Sequence, residues 1–381
     1  MTLETLQIGM EWFSERPGGL NRVYAHLLAE LDQQGVKSEG LVSGSPDVER
    51  ISRGLARAFA RPGDRLPHRL RALRRAAMPW LQAHDEHALI VSHFAQHALP
   101  ILDFARRRPF VVHFQGPWGQ ESRLEGAPRI TAWMKEMVER RVYHAADAAI
   151  VLSSAFADIL AMDLDFPRER IHVIPGGVEA TRFAITDSRE QARATLGWPT
   201  DRPIVLCVRR LVRRVGLELL IDSAVELRSR VPDVLVCIAG SGPIRAELEA
   251  RIAERQLGDT VQLLGFVPDA HLPQAYRAAN FSVVPTIALE GFGLITVESL
   301  AAGTACVVTP VDGLREIVEP FAPQLVTTSA TASAIGDTLA RALLGEVTVP
   351  DARACAEYAR TQFDWPVIAT QVRHVYEQVV A

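Results

Sequence analysis

Two glutamates stand eight positions apart in "PTIALEGFGLITVESLAAGTACVVTP", residues 285 to 310. Glu290 falls in a loop broken by Gly291 and Gly293, and Glu298 falls in the short apolar helix that the loop feeds. Phe292, Leu294, Ile295, Val297 and Leu300 surround them, and an unpaired charge among such residues is costly to bury. Ionised carboxylates only accept hydrogen bonds, so each needs donors to meet it. Capped or solvated glutamates are the plainer alternative. Other groups fit for chemistry stand elsewhere. The stretch "VRRLVRRVG" sets Arg209, Arg210, Arg213 and Arg214 within six residues. His113 closes the apolar run "PFVVH", His93 sits in "IVSHF", and Gly18 and Gly19 precede Asn21 at the start of a helical pattern.

These groups need elements to hold them. "LQIGMEW" reads as a short buried strand, followed by the loop "FSERPGG" and the amphipathic helix "LNRVYAHLLAELDQQG". The same order returns near residue 203 with "PIVLCV", "RRLVRRVG" and "LELLIDSAVELRSRVP". Further runs are "ALIVSHF", "PFVVHFQG" and "AAIVLSS" in the first half. The second half adds "VLVCIAGSG", "VQLLGFV", "FSVVPT" and "ACVVTP". They are rich in β-branched residues, lack alternation and are separated by helical patterns, as parallel strands covered on both faces are. The fold class is α/β: two facing Rossmann-like, doubly wound domains with a ligand expected in the cleft between them. The first domain is expected over 1–183, the second over 184–364. A last helix over 365–381 is expected to cross back onto the first, with Asp364 as cap and Pro366 in its first turn.

The 381 residues carry a net charge of -4, with no apolar run near the length of a membrane span and no signal-peptide pattern at the start. Cys207, Cys237, Cys306 and Cys355 lack metal-ligand spacing and read as reduced, mostly buried thiols, which favours the cytoplasm. No strand-end Asp-x-Asp and no cluster with ligand spacing calls for a metal; "DLD" at 163–165 reads as a turn. A nicotinamide enzyme is disfavoured, because the first strand lacks G-x-G-x-x-G and "AGSGPIR" has Arg245 where a third glycine belongs. From Arg50 to Arg75 nine arginines face the single acid Asp64. Arg53, Arg57, Arg61, Arg65 and Arg69 recur at a helical spacing of four, interrupted by Pro62 and Pro67. This run reads as a solvated face, or as a contact for an anionic membrane surface or anionic acceptor. Nucleic acid is disfavoured, since no aromatic residues are interleaved for stacking.

Taken in order, the Gly-Gly loop, "HFQGPW", "VIPGGVEATRF", "VRRLVRRVGLELL", "AGSGP", "LGFVP" and "EGFGLITVESLAAG" resemble the family-4 type retaining glycosyltransferases of GT-B fold, the group 1 glycosyl transferases. The resemblance spans nearly the whole chain, and the glutamate spacing is its most specific part. It implies transfer of a hexosyl group from a UDP- or GDP-sugar to a hydroxyl of a glycan, glycolipid or lipid-linked acceptor. No metal or other cofactor is implied. The cytoplasm, or the inner face of the membrane, is the implied place.

Glu290 then resembles the carboxylate that binds donor-sugar hydroxyls, and Glu298 the one that takes the ribose hydroxyls. Vicinal hydroxyls offer paired donors to each. Gly291 and Gly293 would let the backbone approach the ligand, and the amides of Phe292, Gly293 and Leu294 at the helix start can face a diphosphate. Gly18, Gly19, Arg209, Gly242 and Phe266 fall at implied donor contacts, the last two near the nucleotide base. His113 resembles the histidine beside the donor sugar, with His93 and Asn21 as lesser candidates. Arg210 resembles the arginine on the leaving diphosphate. The family's lysine is replaced by Val215, and Arg214 is expected to supply the relocated cation. Two readings stay beside this one: a sugar-nucleotide-binding protein without transferase activity, and an epimerase or phosphorylase of the same fold.

Overall fold

Among the described residues every strand pair is parallel, so each β-run must be joined to the next by a crossover that covers a sheet face. The computed structural model describes residues 3–381. It holds two compact units, Met1–Gly177 with Trp365–Ala381, and Val178–Asp364.

In the first unit β1 (Glu4–Glu11), β2 (Lys37–Ser43), β3 (Ala56–Ala60), β4 (Leu89–Ser92), β5 (Phe110–Phe114), β6 (Ala148–Val151) and β7 (Ile171–Val173) form one sheet. Its order is β3-β2-β1-β4-β5-β6-β7, so the winding direction reverses between β1 and β4. The central strands β4, β5 and β6 are buried along their whole length, which is why they read as unbroken apolar runs. The helix Trp365–Val380 belongs to this unit. Its Trp365 ring lies against Gly177 and stacks on His26 at 5.8 Å, and Pro366 accepts a 3.0 Å bond from Gln34 Nε2.

In the second unit β8 (Ile204–Val208), β9 (Leu235–Ala239), β10 (Val261–Gly265), β11 (Phe281–Val284) and β12 (Cys306–Val308) are ordered β10-β9-β8-β11-β12. The reversal here falls between β8 and β11. The unit begins at Val178, upstream of the expected 184. Val178 bridges to Asp364, the Asp364 carboxylate accepts the Ala180 amide at 3.0 Å, and Phe183 packs on Tyr276. Asp364 thus serves the short helix Ala180–Phe183.

The basic run is not one helix. Arg53 lies past the short helix Val48–Ile51, Arg57 lies on β3, and only Arg69 of the five periodic arginines lies within the helix Leu66–Ala83. Arg57 Nε donates to Glu39 at 2.9 Å, a partner one strand away that sequence spacing cannot show. No helix among the described residues is long and apolar enough to cross a membrane.

Candidate functional site

In an open parallel sheet the loops beyond the carboxyl ends of the strands, above all at the reversal point, are free to carry ligand groups. In the second unit the loops after β8 and β11 flank that point, and Arg209 and Glu290 stand on them. Their side chains meet. An Arg209 Nη2–Glu290 Oε2 ion pair joins the loops, and Thr286 Oγ1 donates to the same oxygen at 3.0 Å. The side chains are only 12% and 13% exposed, so the pair resolves the charge that the sequence left unmatched. Both contacts go to Oε2.

The backbone around Glu290 is fixed on each side. Its amide donates to Asp312 Oδ2 at 3.0 Å, and its carbonyl accepts from Gly313 at 3.1 Å. Burial raises the Asp312 carboxyl above the usual range. Leu289, one residue before, has φ of 52°, a left-handed conformation that an L side chain rarely takes. Arg214 Nη1 donates to the Leu289 carbonyl at 2.9 Å and holds that turn. Thr286, Asp312 and Tyr276 are the supports that sequence reasoning missed; no spacing signal marks them.

Beyond Glu290 the chain enters the helix Leu294–Ala301 through Gly293, whose φ of 85° and close approach to Leu314 exclude a side chain. The absent side chain therefore serves packing within the unit. The amides of Phe292, Gly293 and Leu294 have no hydrogen-bond acceptor among the described residues. Phe292 itself is core, 5.6 Å from Phe363. Glu298 is buried on the helix and accepts from the Tyr276 hydroxyl at 3.1 Å.

The other expected positions divide. Arg210 is exposed, its side chain without a partner among the described residues, and Arg213 pairs with Glu247 and Glu218. Val215 is core. Gly242 packs on the Leu211 backbone, where a Cβ would lie 2.3 Å from the carbonyl oxygen, so its small size is used internally. Phe266, just past β10, is 67% exposed.

In the first unit Gly18 caps the helix Gly19–Gln33, and a Cβ there would meet nothing within 4 Å. Asn21 is a staple: it accepts the Glu11 amide at 3.2 Å and donates to the Arg16 carbonyl at 3.0 Å. His113, expected beside a donor sugar, is the penultimate residue of β5. It is buried within β5, bonded through Nε2 to the Tyr376 hydroxyl at 2.7 Å and stacked on His93 at 4.1 Å. Burial holds its pKa down at about 3, so the ring is neutral. His93 is likewise enclosed, with Nε2 2.9 Å from Gln7 Oε1. Gln115, two residues beyond His113 and past the strand end, is only half-buried. Among the described residues no group of three His, Cys, Asp or Glu side chains is placed to hold a metal ion.

The family model Glycosyltransferase Family 4 matches residues 17–182, and Glycosyl transferases group 1 matches residues 188–362. The chain belongs to the glycosyltransferases of GT-B fold, related to the group 1 and family 4 domains. It is 30% identical over 260 residues to mannosylfructose-phosphate synthase of Agrobacterium fabrum, a match covering 64% of this chain and 56% of that one. The matched region spans little more than half the length of the curated relatives. Among solved structures it is similar to Anabaena HepE in complex with UDP and glucose, with TM-score 0.79 and 19% identity over 99% of this chain and 100% of that one. Sucrose-phosphate synthase from Thermosynechococcus elongatus gives TM-score 0.77 and 24% identity, covering 99% of each. At these identities the solved structures bear on the fold, which is GT-B with two Rossmann-like units.

Proposed function

We propose that this chain is a retaining hexosyltransferase that takes its sugar from a nucleotide-diphosphate donor. The observation that carries the reading is Glu290. It is held by Arg209 and Thr286 at the reversal point of the second sheet, one turn before a helix start with three uncommitted amides. A carboxylate whose Arg209 and Thr286 partners both engage Oε2 keeps acceptor capacity at Oε1, which suits vicinal sugar hydroxyls. Helix-start amides suit the phosphate that leaves.

In the step proposed, the bond from the anomeric carbon to the phosphate oxygen breaks as the acceptor hydroxyl approaches the same face. The acceptor's proton passes to the departing phosphate. Positive charge from Arg210 and Arg214, with the amides of Phe292 to Leu294, stabilises the diphosphate as it gains charge. Glu298, held by Tyr276, takes the ribose hydroxyls, and the exposed Phe266 ring offers a face to the base. The first unit serves the acceptor, a glycan, glycolipid or lipid-linked hydroxyl. There Gln115 stands at the open strand end, and His113 positions that end from within through Tyr376. We place the chain in the cytoplasm, where the buried thiols Cys207, Cys237, Cys306 and Cys355 remain reduced.

A thermal-shift series with UDP-, GDP-, ADP- and TDP-sugars tests the donor class, since a ligand of the folded state raises its stability. A shift with one base, followed by an α-configured product from an α-configured donor, supports the proposal. An inverted product contradicts the retaining step. A shift without turnover on any acceptor points to a binding protein.

A further inference from the structure

We infer that the helix Arg129–Tyr143 seats this chain on an anionic phospholipid surface through an outward apolar face. Of thirteen large apolar side chains left exposed among the described residues, five fall between 124 and 137. Ile130, Trp133, Met134 and Met137 follow the spacing of one helix face, and Leu124 is the last residue of the preceding helix Trp118–Leu124. They are between 47% and 63% exposed, whereas Ala132, Glu139, Val142 and Tyr143 on the same helix are buried. The face is also firmly held. Glu139 accepts the amides of Trp118 at 2.8 Å and Gly119 at 3.1 Å, and Gly119 packs directly on the helix.

Charge complementarity selects the occupant. Arg123, Arg129 and Arg141 are exposed around the apolar face, with Glu125 the opposing exposed acid among residues 120–143. The helix Leu66–Ala83 contains no acid, exposes Arg71 and Arg75, and shares a hydrophobic core with Val142 and Tyr143. It therefore lies on the same side of the sheet. A tryptophan among aliphatic side chains, ringed by arginines, suits the headgroup boundary of an anionic bilayer. A second copy of this chain would set the same cationic rim against itself. The basic run alone is a weaker anchor. Arg57 is bound to Glu39, Arg69 to His97 at 2.9 Å, and Arg74 to Asp103 at 2.7 and 2.8 Å.

The test uses the full chain without donor or acceptor, so it is independent of the transferase reading. Flotation is measured with phosphatidylcholine vesicles and with vesicles that also contain phosphatidylglycerol. Wild type should float with the anionic vesicles only. A triple Ile130→Gln, Trp133→Gln, Met134→Gln variant should bind them at least about tenfold more weakly, with an unchanged melting temperature because the replaced side chains are exposed. A triple Arg123→Gln, Arg129→Gln, Arg141→Gln variant should also bind at least about tenfold more weakly and lose most of its salt sensitivity. Wild type that stays out of the floating fraction overturns the inference. So does an apolar variant that floats like wild type. A concentration-dependent dimer that the apolar variant abolishes, without vesicle binding, assigns the face to a second copy instead.

Discussion

Replacing Arg214 by alanine should lower turnover by about a hundredfold, and the structure gives the reason. Leu289 sits at φ of 52°, a conformation that costs an L residue about 1–2 kcal/mol. The bond from Arg214 Nη1 to its carbonyl, 2.9 Å long, has a charged donor and contributes about 1.5–3 kcal/mol. The two figures are of one size, so the guanidinium offsets the strain that the turn stores. Without it the turn relaxes, and Glu290, the next residue, moves with it. A displacement of about 1 Å at a reacting centre is enough for a loss of about 10²-fold. The backbone bond from Ile287 to the Arg214 carbonyl survives the substitution, so the fold should remain. A glycine adopts the left-handed conformation freely. An Arg214→Ala, Leu289→Gly double variant should therefore recover part of the lost kcat. Restoring lysine through Val215→Lys should not help, because position 215 is core. The assay is kcat with the donor that thermal shift selects. Near-normal kcat in Arg214→Ala refutes the reasoning. A loss that Leu289→Gly leaves untouched refutes the clamp and leaves Arg214 as a cation acting on the diphosphate.

Tyr276→Phe removes the 3.1 Å donor to the buried Glu298 and should weaken nucleotide binding by about tenfold or more, read by titration calorimetry; unchanged affinity would separate Glu298 from the nucleotide. Burial lowers the His113 pKa from 6.5 to about 3, so below 6.5 the unfolded chain takes up the proton first. Stability is complete above that value and falls as pH drops towards 3, by up to about 1.4 kcal/mol per pH unit for this group. His113→Gln should flatten that fall in chemical denaturation, and an equal slope would contradict it. Gln115→Ala should lower kcat without changing the pH dependence of stability, and an unchanged kcat would remove Gln115 from the proposed acceptor side.

The glutamate pair was legible because glycines and apolar neighbours leave a charged residue in a short loop-to-helix join with little room for chance. Its partners were not. Arg209 could be seen crowding a loop, yet its pairing with Glu290 depends on β8 and β11 lying side by side, which follows from the reversal in strand order. Tyr276 reaches Glu298 across 22 positions and Tyr376 reaches His113 across 263, and no local pattern encodes either approach. His113 was read as a strand-end group and is the penultimate residue of β5, while its Tyr376 partner on the returning helix carried no signal. The strands buried along their whole length, such as β4, β5 and β6, were plain in the sequence. β2, β3 and β7 were not, since their partly exposed residues break the apolar run. The arginines have a helical spacing of four that Pro62 and Pro67 were expected to interrupt, but charge periodicity carries no knowledge of Glu39, the strand partner that holds Arg57.

The most direct test of the account is Glu290→Gln, which keeps the shape of the side chain and removes its charge. Nucleotide-sugar binding should persist, because Glu298, Tyr276 and the helix-start amides are untouched. Sugar transfer should fall by about a hundredfold or more, as expected when a charged group that acts on the reacting sugar is lost. Wild-type transfer by this variant, measured with the donor that stabilises the chain, would contradict the central claim.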